Sequence, residues 1–238
     1  VSNNLTITAG TLDSKSGRNY ALSVGGNFSN AGTFTARSGT VTLTGTDSDN
    51  TITSGGTAFY NLPQNGSGGT YTLQDAGAVS NVLTITAGTL NGGSSTLTLS
   101  GTTGTPFVNN GTFTASTGTV AYTGDNSGGN TTVTNVTYYS LTISNTFETY
   151  VLAGNTTVGG NLTISSGTLD TVSGQNYSLG VGGNWDSSGD FATFTARRGT
   201  VTFTGTDSDN TITSGNDSFY NLTQNGSGGT YTMQDALT

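Results

Sequence analysis

The chain repeats itself three times, and that repetition limits its folding options more than any other feature. VSNNLTITAGTL at Val1 returns as VSNVLTITAGTL at Val79 and as VGGNLTISSGTL at Val158. The copies span 1–78, 79–157 and 158–238, a unit of about 79 residues. The first and third are closest: GTVTLTGTDSDNTITSG from Gly39 matches GTVTFTGTDSDNTITSG from Gly199, and YNLPQNGSGGTYTLQDA from Tyr60 matches YNLTQNGSGGTYTMQDA from Tyr220. The second copy diverges, with GTVAYTGDNSGGNTTV from Gly118. The third carries about three extra residues around Phe191, just after Trp185. A repeat that cannot bury a core alone does so by stacking on its neighbours.

Within each copy a shorter rhythm appears. Leu5-Thr6-Ile7-Thr8 and Val41-Thr42-Leu43-Thr44 alternate apolar with polar residues, the period-two signature of strands with one buried face. Gly-Asn-Asp-Ser clusters such as Gly25-Gly26-Asn27 and Asn65-Gly66-Ser67-Gly68-Gly69 separate them and supply turns. Thr, Tyr, Phe, Val and Ile suit pleated strands, whereas 38 Gly and only 2 Pro point to many tight turns. The predicted fold is all-β: one continuous parallel β-helix of about a dozen coils, about four coils of roughly 20 residues per copy. Tandem β-sandwich modules are the alternative, although 79 residues is short for one. Asn27, Asn184, Asn65 and Asn225 are candidates for stacked or backbone-bonded turn amides.

Composition then excludes several chemistries. Without Cys or His the chain has no thiolate, no disulfide and none of the common zinc ligands. Thirteen acids against five bases, a net charge of −8, argue against nucleic acid as partner. No apolar run is long enough to insert into a membrane.

The motifs NLTIxxGTL, VGGN followed by Phe or Trp, GTFTA and GTVT(L/F)TG resemble the tandem repeats of large bacterial surface proteins, in the style of filamentous haemagglutinins and autotransporter passenger β-helices. The resemblance implies an extracellular, cell-surface fibre or adhesin and no cofactor, and it carries over no catalytic residue.

The chain is therefore expected to be non-enzymatic, a structural fibre or stalk segment. A carbohydrate-binding or carbohydrate-cleaving β-helix is the alternative, with glycans or other surface polymers as partners, and an ice-binding solenoid is a minor one. Acid and base candidates for catalysis are Asp47 and Asp49 with Arg37, mirrored by Asp207 and Asp209 with Arg197; their duplication favours solvated turns over a catalytic centre. Glu148 is the only Glu. Asp47, Asp49 and Asn50, and again Asp207, Asp209 and Asn210, place hard oxygen donors at alternating positions, a candidate Ca²⁺ site. The rows Thr40-Val41-Thr42-Leu43-Thr44 and Thr70-Tyr71-Thr72 carry the ice-binding alternative. In the adjacent aromatic pairs Phe59-Tyr60, Tyr138-Tyr139 and Phe219-Tyr220, core filling or a covered turn is the favoured fate, and one outward ring of each, available to sugars or a neighbouring fibre, is the alternative. Finally, Asp235-Ala236-Leu237-Thr238 stops where the internal junction at Asp75-Ala76-Gly77-Ala78 continues into Val79. Setting Val1 after Thr238 reproduces the internal spacing, so the chain is expected to be a window on a longer array or a subunit that self-associates end to end through its terminal coils.

Overall fold

The computed structural model describes residues 1–237; the junction residue Thr238 lies outside them. The described residues contain strands and turns and no helix, so no helix is long and apolar enough to cross a membrane. The strand pairs described within each of two compact units, Val1–Thr119 and Val120 onward, are parallel. The fold is a β-solenoid of about 11 turns. Parallel pairing of each strand with one a coil away is incompatible with antiparallel sandwich modules. The boundary between the units falls inside the second sequence copy.

In the first unit a six-stranded sheet runs through Leu5–Ile7, Phe28–Asn30, Asn50–Thr53, Thr70–Leu73, Thr89–Asn91 and Thr112–Thr114. A second sheet stacks Leu22–Val24, Val41–Leu43, Ala58–Gln64, Gly77–Ile85 and Thr96–Leu99, and a short pair joins Thr11–Asp13 to Thr33–Thr35. The second unit repeats the plan. One sheet contains Thr137–Tyr138, Thr156–Val158, Leu179–Val181, Thr200–Phe203 and Asn221–Gln224; another contains Ser140–Leu152, Leu162–Asp170, Trp185–Asp186, Asn210–Thr213 and Tyr231–Met233.

The alternation read from the sequence determines what lies inside. Ile7, Val24, Val41, Leu43 and Ile52 are buried in the first unit, and Leu162, Ile164, Val201, Phe203 and Ile212 in the second. Copies one and three share their registers: Leu5 opposes Phe28 as Leu162 opposes Trp185, and Asn50 opposes Tyr71 as Asn210 opposes Tyr231. The extra residues of the third copy lengthen one coil. Phe28 and its partner Ile52 are 24 residues apart, whereas Trp185 and Ile212 are 27 apart. The surplus is extruded at Phe191, whose φ of 62° and 77% exposure mark a bulge that leaves the stack intact.

Aromatic rings fill the core edge to face. Phe28, Phe34 and Phe59 form one cluster, and Trp185, Phe194 and Phe219 form its counterpart in the third copy. Where the first copy has Leu43 and Phe59, the second has Tyr122 and Tyr138, both fully buried. Their hydroxyls lie 2.9 Å apart, Tyr138 donates to the Thr134 carbonyl at 2.6 Å, and Thr134 N–H donates to Tyr122 at 3.1 Å. With the Tyr138 proton committed, Tyr122 donates to Tyr138 and the three groups close a ring of hydrogen bonds.

Candidate functional site

The corners of the coils hold most of the polar side chains that the sequence singles out. At the GTDSDN corners Asp47 and Asp49 project into solvent, as do Asp207 and Asp209. Asn50 and Asn210 turn inward: each is nearly buried and its amide nitrogen donates to the carbonyl of Asp47 (2.9 Å) or Asp207 (3.1 Å). Each corner is thus a loop tied from within, with two carboxylates outside it. Among the described residues no three acidic side chains come together as a metal-ligand group.

Arg37 and Arg197 lie with other partners than Asp47 and Asp207. Arg37 grips Asp13 with two hydrogen bonds, Nε at 3.1 Å and Nη2 at 2.8 Å, and Arg197 grips Asp170 in the same way, with Nη2 at 2.6 Å. The hydrogen bond from Arg37 holds the Asp13 carboxyl below its ordinary range. In the second copy the corresponding residues are Ser116 and Asn91, and the Ser116 hydroxyl donates to Asn91 Oδ1 at 2.6 Å. Arg37, Ser116 and Arg197 share a left-handed backbone, with φ of 53°, 50° and 51°.

Two of the four predicted turn amides form side-chain ladders. Asn27 N–H donates to Asn4 Oδ1 (2.8 Å), and Asn27 Oδ1 accepts from Thr51 N–H (2.7 Å). Asn161, Asn184 and Thr211 repeat the chain of bonds at 2.9 and 2.8 Å. Asn65 and Asn225 join instead through backbone N–H groups, to Leu43 and Phe203 carbonyls. The inward-facing groups at their corner are Gln64 and Tyr71, which the sequence reading did not single out. Gln64 Oε1 accepts from Gly66 N–H. The fully buried Tyr71 donates to the Val24 carbonyl and accepts from Gly45 N–H, each at 3.0 Å. Tyr231 does the same with Val181 and Gly205. Asp75 and Asp235 each staple a Ser-Gly turn in the preceding coil, through Ser54 and Gly55 or Ser214 and Gly215.

The aromatic pairs divide only in part, with Tyr60 and Phe219 half-buried. Phe59 and Tyr138 are buried, whereas Tyr139 and Tyr220 are exposed. Outward threonine columns are mixed: Thr6 stacks on Ser29, and Thr51 and Thr72 are followed by Asn91 and Thr114. An open groove of about 470 Å³ runs between Phe194–Arg197 and Asn216–Tyr220. Asp217 sits there, accepting from Phe194 N–H at 2.8 Å, with its pKa raised by burial.

No known protein family, curated protein or solved structure matches this chain.

Proposed function

We propose that the chain is a structural segment of an extracellular surface fibre or adhesin stalk, assembling end to end through its terminal coils into a filament or longer array. One comparison carries the reading. In the first copy Leu62 and Leu73 are 1% and 4% exposed, under cover of strands Gly77–Ile85 and Thr89–Asn91. The equivalent Leu222 and Met233 are 42% and 59% exposed. The stretch Val79–Ile85, which covers Leu62, has a near-twin in Val1–Ile7. Inward side chains of this kind are covered when a matching coil stacks on them, whether it belongs to the same chain or to a second copy; between copies the contact is head to tail and propagates into a filament. Composition and the style of the repeats support a surface setting.

The test is sedimentation of the purified chain over a range of concentrations, with Leu222→Lys beside it. Concentration-dependent association, abolished by the substitution, is the expected result. A wild-type chain that stays monomeric at every concentration overturns the reading.

A second reading, glycan binding, has one observation in its favour: the groove that sets Tyr220 and Phe219 beside Asp217 and Arg197. The exposed Tyr220 ring beside these polar groups suits sugar stacking. Retention on immobilised polysaccharides, lost in Tyr220→Ala, would support it.

A further inference from the structure

Glu148 occupies a corner where the other copies have glycine. It stands two residues before Tyr150, as Gly69 stands before Tyr71 and Gly229 before Tyr231. Its side chain points inward and is 3% exposed. Oε2 accepts from Asn126 N–H at 2.7 Å, and Oε1, equally buried, has no partner. The facing residue of the neighbouring coil is altered as well. Thr131, in register with Tyr150, takes the place held by Asn50 opposite Tyr71 and by Asn210 opposite Tyr231. Those asparagines donate to Asp47 and Asp207 carbonyls, whereas the Thr131 hydroxyl is buried and unpartnered. Asp125 lies on the same corner, half-buried. Burial, then the charges of Glu148 and Asp125, push the Tyr150 hydroxyl pKa up, which places both carboxylates near that ring.

A buried carboxylate oxygen is retained when a cation or a donor satisfies it. The chain offers no basic side chain nearby in sequence, for no Lys or Arg occurs between Arg37 and Arg197. Two carboxylates, a hydroxyl and an adjoining exposed Ser127-Gly128-Gly129 turn match the donor set of a hard divalent ion, which takes oxygen ligands and completes its shell with water. The corner differs from a mere acidic cluster in its two buried, unpartnered oxygens. It also differs from the Asp47 and Asp207 corners, whose carboxylates are solvated and whose asparagines are already bonded.

We infer that the corner formed by Gly124–Thr131 and Glu148 binds a divalent cation, Ca²⁺ in preference to Mg²⁺, through Glu148, Asp125 and Thr131. The preference follows from the donor set, two carboxylates and a hydroxyl fixed by the fold: Ca²⁺ accepts such oxygens in flexible shells, whereas Mg²⁺ demands a near-ideal octahedron and dehydrates reluctantly.

The experiment uses the whole chain, with Tb³⁺ as a luminescent stand-in excited through tyrosine, and melting curves with Ca²⁺ up to millimolar concentration. Tb³⁺ emission should appear, be displaced by Ca²⁺ and respond weakly to Mg²⁺, while Ca²⁺ raises the melting temperature. Glu148→Gln should lower Tb³⁺ affinity by about tenfold or more, because a ligand charge is lost, while Asp47→Asn with Asp207→Asn should leave this emission unchanged. Should Glu148→Gln fail to fold, Thr131→Val keeps both carboxylates and should weaken binding severalfold. A wild-type chain indifferent to Ca²⁺ overturns the inference. So does a Glu148→Gln chain that folds and binds Tb³⁺ as the wild type does, or one that is more stable than the wild type with no ion response in either.

Discussion

Replacing Tyr71 by Phe removes one oxygen atom from the centre of a coil stack and leaves the ring in place. Two bonds disappear, but their consequences differ. The Val24 carbonyl keeps a second donor, Thr44 N–H at 2.8 Å, so it remains satisfied. Gly45 N–H loses its acceptor in a buried position. An orphaned buried donor costs about 1–3 kcal/mol, so Tyr71→Phe should destabilise the chain by about 2 kcal/mol. Coils of a solenoid can melt separately, so the local readout matters. Amide exchange at Gly45 should accelerate by roughly 30-fold, the equivalent of that energy at 1.4 kcal/mol per tenfold. Tyr231 makes the same two bonds from a half-exposed ring. Water can replace its hydroxyl there, so Tyr231→Phe should cost only about 0.5–1 kcal/mol. Denaturation of both variants, with exchange measured by NMR, tests the ordering. The reasoning fails if Tyr71→Phe stays within about 0.5 kcal/mol of wild type with Gly45 still protected, or if Tyr231→Phe is the more damaging of the two.

Two further outcomes follow from the packing. A methyl group at Gly66 would be driven into the Gly45 carbonyl oxygen of the preceding coil, so Gly66→Ala should destabilise by about 1–3 kcal/mol in thermal or urea denaturation, although Gly→Ala at an unhindered position stabilises by about 0.4–1 kcal/mol. Burial raises the pKa of Tyr122, Tyr138 and Tyr150 above the ordinary 10.0. Above that pH the unfolded chain releases these protons while the folded chain retains them. Stability is therefore fully present below pH 10 and falls above it by about 1.4 kcal/mol per pH unit for each such tyrosine, with tyrosinate absorbance from the three appearing only as the chain unfolds.

The strands and their inward faces could be read directly from the sequence because alternation is local: Leu5-Thr6-Ile7 or Val41-Thr42-Leu43 decides its own orientation. The split of Phe59 from Tyr60 follows from the same rule. Side-chain partners were harder to find because they lie one coil away, at sequence separations that vary with the turn. The spacing of Asp47, Asp49 and Asn50 suggested three ligands facing one ion. In the fold Asn50 belongs to the inward set and is occupied with the Asp47 carbonyl. Arg37 could not be matched to Asp13 by proximity in sequence. The signal that could have found the pair lay in the copies themselves, where Asp13 with Arg37, Asn91 with Ser116 and Asp170 with Arg197 change together. Tyr71 carried no local signal at all, since a tyrosine on a strand face reads as core whether or not its hydroxyl bridges two coils.

That covariation also bears on why the second copy departs from its neighbours. Where it abandons the ion pair of Asp13 and Arg37, it restores a bond between Asn91 and Ser116. Where it replaces Leu43 and Phe59 with Tyr122 and Tyr138, it buries two hydroxyls and closes them on Thr134. Each change is compensated inside the chain, as a fold that tolerates few unsatisfied polar groups requires. The exchange of Gly69 and Asn50 for Glu148 and Thr131 breaks this pattern: it buries a carboxylate oxygen and a hydroxyl together and supplies no partner for either. A glycine at that corner, as in the other two copies, would avoid the difficulty. Two of the unpartnered buried oxygens belong to this one corner, and an ion drawn from solution would supply the missing partner there as Ser116 and Thr134 supply theirs elsewhere.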